Sequence, residues 1–160
     1  PAGARARTPP AGGKDGSLTL DDYLKLLYPD SSTEKSALEA RGFVAAATRW
    51  YTTSDGHIAA VYLIEFDADS GADSYADGLS AAHENTYRAD SAFAVQALHH
   101  GTGFEEKTLD AHGNTRSFAY GAVGNVTVLV HYYVPAKLDL SGLLSVVSAQ
   151  VAALQKGQTV

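Results

Sequence analysis

The sequence predicts an α+β domain, an antiparallel twisted sheet of about five to six strands with helices packed on it. Three observations carry this expectation. The stretches FVAAATRWYT at 43–52, HIAAVYLIEF at 57–66 and VTVLVHYYV at 126–134 are rich in β-branched and aromatic residues and are bounded by turn residues. Apolar residues at helical spacing occupy the segments before, between and after them. The resulting order is two helices, a hairpin, a helix, a run of about four strands and a final helix, the pattern of helices laid on an antiparallel sheet.

Residues 1–17, PAGARARTPPAGGKDGS, have no apolar periodicity and little to bury, so they read as a tether, with residues 18–160 forming one globular domain. Pro9-Pro10 favours an extended spacer and Gly12-Gly13 a flexible one. The chain leads with Pro1 and contains no Met, so a signal or membrane anchor removed ahead of residue 1 is expected.

The first helix starts after Thr19, an N-cap residue, with Asp21 and Asp22 in the first turn where carboxylates favour the helix dipole. Leu20, Tyr23, Leu24 and Leu27 form its apolar stripe, and Pro29 ends it. Ser32 or Thr33 caps a second helix through Leu38 and Ala40, and Gly42 stops it. A hairpin follows from Phe43 to Phe66 around Ser54-Asp55-Gly56. In its second strand Ile58, Ala60, Tyr62, Ile64 and Phe66 share one face and Ala59, Val61 and Leu63 the other. Both faces are apolar, which predicts a central strand with cover on each side.

Residues 67–85 read as a helix packed through Ala72, Tyr75, Ala76, Leu79 and Ala82. Strands are expected at Phe93 to Leu98, Phe104 to Leu109 and Arg116 to Tyr120, with turns at His99 to Gly103 and at His112-Gly113-Asn114. The strand from Val126 to Val134 is stopped by Pro135. Asp139 caps a last helix whose Leu140, Leu143, Leu144, Val147, Val151 and Leu154 lie on one side, ended by Lys156 and Gly157.

The hairpin ending AVYLIEF (60–66) with an Ala-rich helix from Ala68, and GNVTVLVHYYVP (124–135) leading into SVVSAQVAALQ (145–155), resemble actinobacterial exported sensor-type domains, the LpqN-type lipoprotein domains and the sensor domains of some serine/threonine kinases. The resemblance spans roughly residues 43–156. It implies a twisted antiparallel sheet backed by helices, an envelope location, and binding or signalling without a characterised reaction. The kinase sensor domains carry disulfides and this chain has no Cys, which favours the lipoprotein branch. No site residue carries over from the family.

Composition excludes several chemistries. Cys 0 removes disulfides, thiolate metal sites and thiol nucleophiles. The first 17 residues carry a net +2, leaving −8 on the remainder, and such an acidic body argues against nucleic acid. No apolar run approaches the ~20 residues of a membrane span, so the chain is expected to be tethered to a membrane rather than inserted in it. The stretch from Asp67 to Asp77 fails the calcium-loop pattern, with Gly71 at a ligand position and Gly78 where a bidentate Glu is required. No Gly-x-Ser-x-Gly elbow is present. Adjacent His99 and His100 on an extended strand would point to opposite faces. No catalytic residue, metal ligand set or cofactor is assigned.

The aromatic set is the feature most like a site. Trp50 and Tyr51 alternate across one strand and Tyr132 and Tyr133 across another, so each pair sends one ring away from any single core layer. Trp50, Tyr51, Tyr62, His131 and Tyr133 are the candidate lining of a groove for a protein partner or an amphipathic small molecule. The expected function is therefore an extracytoplasmic, membrane-tethered binding or regulatory domain. The alternatives are a metal-dependent or serine hydrolase built around His99, His112 and His131, and a structural module using an exposed sheet edge.

Overall fold

The computed structural model describes residues 3–7, 15–28, 32–87, 92–106, 113–135 and 139–157. Its elements are β1 (Arg5–Ala6), β2 (Gly16–Leu18), α1 (Leu20–Leu27), α2 (Ser32–Ala40), β3 (Phe43–Thr52), β4 (Ile58–Phe66), α3 (Asp69–Tyr87), β5 (Ala92–Ala94), β6 (His99–Glu106), β7 (Asn114–Val123), β8 (Val126–Pro135) and α4 (Leu140–Gln155). The strands form one sheet in the order β1-β3-β4-β8-β7-β6-β5, with β2 also paired to β3, and every pairing is antiparallel. The α+β class is as expected. The expected five to six strands are too few, because the sheet has eight.

The two apolar faces of β4 decide the layering. Ala60, Tyr62, Ile64 and Phe66 join Tyr23 and Leu24 of α1, Leu38 of α2 and Ala72, Tyr75 and Leu79 of α3 in one core. Ala59, Val61 and Leu63 join Leu143, Val146, Val147 and Val151 of α4 in the other. The strand is central, between β3 and β8, and its faces meet helices on opposite sides. Of the stripe expected on α4, Leu144 is exposed and Val146 is buried in its place.

Local signals explain the helix ends. Thr19 accepts the Asp22 amide at 3.1 Å and the Asp22 carboxylate accepts the Thr19 amide at 3.4 Å, a reciprocal capping box. α2 ends as Gly42 takes a φ of +79°, which a residue without Cβ adopts freely, and its amide bonds the Glu39 carbonyl at 3.0 Å. Asp139 caps α4 through the Gly142 amide at 3.1 Å.

Two differences from expectation bear on function. Arg5–Ala6, within the segment read as a tether, and Gly16–Leu18, at its end and running into the domain, pair with β3. Main-chain bonds to a free strand edge require no apolar pattern, so the sequence carries no mark of them. The strand expected at Phe93 to Leu98 stops at Ala94, a turn follows, and a second strand begins at His99, where a turn was expected, and folds back antiparallel on the first. Leu109 and His112, which belonged to an expected strand and turn, lie outside the described residues. Among the described residues, no helix is long and apolar enough to cross a membrane.

Candidate functional site

Four of the five candidate side chains meet on the face covered by α1, α2 and α3. The Trp50 ring stacks on Tyr133 with centroids 6.2 Å apart and meets the edge of Tyr62 at 6.5 Å. His131 touches Tyr62 at 5.6 Å, Phe118 at 5.8 Å and Tyr133 at 6.3 Å. Arg116 lies over the Phe118 ring at 5.2 Å and pairs with Glu106 at 2.7 Å. Cross-strand register explains the gathering, since Tyr62 faces Leu129, Trp50 faces Ala60 and Arg116 faces Tyr133. Burial, together with the nearby Arg116 and His83, pushes the His131 imidazole down to about 3. It is neutral across the physiological range. Burial also pushes the Tyr62 phenol upward.

This cluster is packed rather than open. Trp50 is 8% exposed, Tyr62 only 2%, and His131 and Tyr133 are half-buried. Helices lie on both faces of the sheet, so these rings are in contact with core side chains on the face they share. Tyr51 is separated from the other four, on the α4 face.

There Tyr51 lines a cleft of about 300 Å³ with Ala4, Arg5, Ala6, Arg49, Val61, Val146, Ala149, Gln150 and Ala153. Each element contributes by its own period. Arg49 and Tyr51 are two apart on β3, Val61 of β4 stands opposite Arg49, and β1 brings Ala6 opposite Tyr51. Val146, Ala149, Gln150 and Ala153 follow a helical stripe on α4, and the small size of the two alanines leaves the space. The floor is apolar, and each polar side chain bordering it carries a donor. Two guanidiniums, the Gln150 amide nitrogen, which is buried with no hydrogen-bond partner, and the Tyr51 phenol, raised by burial to about 12 and so protonated, border it. No lining residue is acidic. Asp15 reaches Arg49 only at 3.7 Å, while its other oxygen accepts the Trp50 amide at 2.9 Å. Arg5, Ala149 and Gln150 had no sequence signal, because the cleft arises where small helix residues meet a docked N-terminal strand.

The histidines do not form the His99, His112 and His131 set. His99 sits opposite Ala122 and His131 opposite Phe118, four residues along β7, or about 13 Å at the rise of a strand. His112 lies outside the described residues. His57 Nδ1 is instead 2.9 Å from the Tyr132 hydroxyl, 3.3 Å from Asp55 and 3.8 Å from Asp139. With Asp139 also capping α4, this group fastens the hairpin turn to the start of the helix.

No protein-family model matches the chain, and no curated protein matches it. Among solved structures, the extracellular domain of PknH from Mycobacterium tuberculosis superposes on 88% of this chain and 79% of its own at 11% identity, with a TM-score of 0.48. A likeness this distant assigns no family and transfers no property.

Proposed function

We propose that this is a binding domain that takes a small anionic amphipath in the cleft between α4, β3 and β1. One observation carries the reading: each polar side chain bordering an apolar floor offers a hydrogen-bond donor, two of them cationic, on a chain whose net charge is −6. A carboxylate or sulfate head satisfies the guanidiniums and the orphaned Gln150 amide, while a hydrocarbon tail covers Val61, Val146, Ala149 and Ala153. The cleft volume is at the lower end of small-molecule sites, which fits a medium-length chain. The domain works, in this reading, outside the cytoplasmic membrane, held by its N-terminal segment. The basic, Pro/Gly-rich composition of residues 1–17 supports this, and recovery of the native protein from the cytosolic fraction would contradict it.

Calorimetric titration tests the ligand class. Dodecanoate and dodecyl sulfate are expected to bind saturably and dodecyltrimethylammonium not. Arg49→Glu should weaken the anions at least about tenfold, equivalent to about 1.4 kcal/mol. Ala149→Trp, at an exposed helix position, should fill the cleft and abolish binding without unfolding the domain. Equal affinity for the cationic surfactant, or indifference to Ala149→Trp, removes the reading.

A further inference from the structure

Consecutive residues of an extended strand send their side chains to opposite faces, yet the rings of His99 and His100 lie with centroids 4.4 Å apart. The backbone explains this. The pairing of β6 with β7 shifts register between His99 and Thr102, and His100 takes a φ of +51°, making it the sole described non-glycine residue in the left-handed region. This irregularity brings both imidazoles to the exposed flank of α3. Asp73 and Asp77 stand one turn apart there, so that they share a face of the helix. His99 Nδ1 is 2.8 Å from Asp73 Oδ1, and His100 Nδ1 is 2.6 Å from Asp77 Oδ1. One ligand atom from each of Asp73, His99 and His100 falls within 4.8 Å of the others.

We infer that Asp73, His99 and His100 form a surface site for a divalent transition cation of the zinc type, with Asp77 or water completing the shell. Imidazole nitrogen with carboxylate oxygen is a donor set that Zn2+ favours, and two carboxylates balance its charge. A tetrahedron with bonds near 2.1 Å needs ligand atoms about 3.4 Å apart, so no separation within the 4.8 Å span must close by more than about 1.4 Å. Small rotations of four solvent-reaching side chains provide that. Exposed His–Asp pairs on their own contribute little, and they do not account for a strained backbone at the residue that aligns them. A shared cation accounts for both. The site tethers β6 to α3, and it lies on the opposite side of the sheet from the cleft beneath α4.

Calorimetric titration with zinc chloride is expected to show saturable binding of a single ion per chain, with the ring resonances of His99 and His100 shifting together. His99→Ala should abolish it. His100→Gly should abolish it as well while leaving the fold intact, since glycine accepts the positive φ without strain. His57→Gln, in the other His/Asp group, should bind as the parent does. The inference is overturned if the parent shows no saturable Zn2+ binding, if the combined His99→Ala/His100→Gly chain still binds, or if Mg2+, which avoids imidazole, binds equally well.

Discussion

Replacing Tyr75 with alanine is expected to lower the free energy of unfolding by about 4 kcal/mol, within the range for emptying a large aromatic site in a core. Tyr75 is 2% exposed and sits where three helices meet the sheet, its ring 5.7 Å from that of Phe66 and its flank covered by Arg41 at 6.0 Å. Its hydroxyl is also a polar junction, 2.6 Å from the Tyr23 hydroxyl and 2.8 Å from that of Tyr28. Burial raises all three phenols, so they remain protonated at neutral pH, able to donate as well as accept. Tyr75→Phe keeps the ring and removes the shared oxygen. It takes from the fully buried Tyr23 hydroxyl its partner at 2.6 Å, at a cost of about 2 kcal/mol. Urea denaturation of the two variants separates packing from hydrogen bonding. A phenylalanine variant as stable as the parent would show that the tyrosine junction contributes nothing.

Acid should loosen the domain well before its carboxylates titrate. His131 is held at about 3 in the folded chain against 6.5 for a free histidine, so the unfolded chain takes up a proton that the native one refuses. The folded state is favoured fully above pH ~6.5 and loses that advantage as pH falls, by about 1.4 kcal/mol per unit, or about 2 kcal/mol by pH ~5. His83, whose pKa burial also lowers, acts in the same direction. His100, raised by its bond to the Asp77 carboxylate, acts in the opposite one, but it is exposed and is retained in the comparison. His131→Phe places an apolar ring among Tyr62, Phe118 and Tyr133, and should flatten the stability curve between pH ~7 and ~5 by about 2 kcal/mol. Parallel curves for parent and variant would show that His131 is protonated without penalty.

Much of this architecture is legible in local sequence because the physics there is local. The alternation from Ile58 to Phe66 gives each residue its face, and its apolarity on both sides requires two helical layers. Thr19 with Asp22, and Gly42 after Ala40, set helix ends through bonds within four residues. The course of β6 is hidden because its glycines serve contact rather than bending. A Cβ on Gly101 would meet the Val95 carbonyl at 2.1 Å, and one on Gly103 the Phe93 ring at 2.3 Å. His-His-Gly-Thr-Gly therefore reads as a loop while running as a strand. The same hidden irregularity unites His99 and His100. Of the aromatic set, cross-strand register gathers Trp50, Tyr62, His131 and Tyr133 and leaves Tyr51 on the other face, a division that the sequence alone does not show because it depends on which strands pair. The cleft beside Tyr51 depends on where Arg5 and Ala149 end up in space, and neither residue is marked by its neighbours.

The outer side of β3 shows what the leading segment does for the rest of the molecule. Gly16 to Leu18 pair with Ala46 to Thr48, Asp15 caps the Trp50 amide, the Arg7 amide bonds the Trp50 carbonyl at 3.1 Å, and Arg5 and Ala6 pair with Thr52 and Tyr51. Piecemeal as it is, this seam occupies the amides and carbonyls that the last strand of a sheet leaves bare, and the opposite margin is only the three residues of β5. Stripped of its first eighteen residues, the body would carry a ready template along β3, open to the matching strand of a neighbouring copy. The segment that reads as a mere leash in the sequence thus lies along the edge on which such pairing would run.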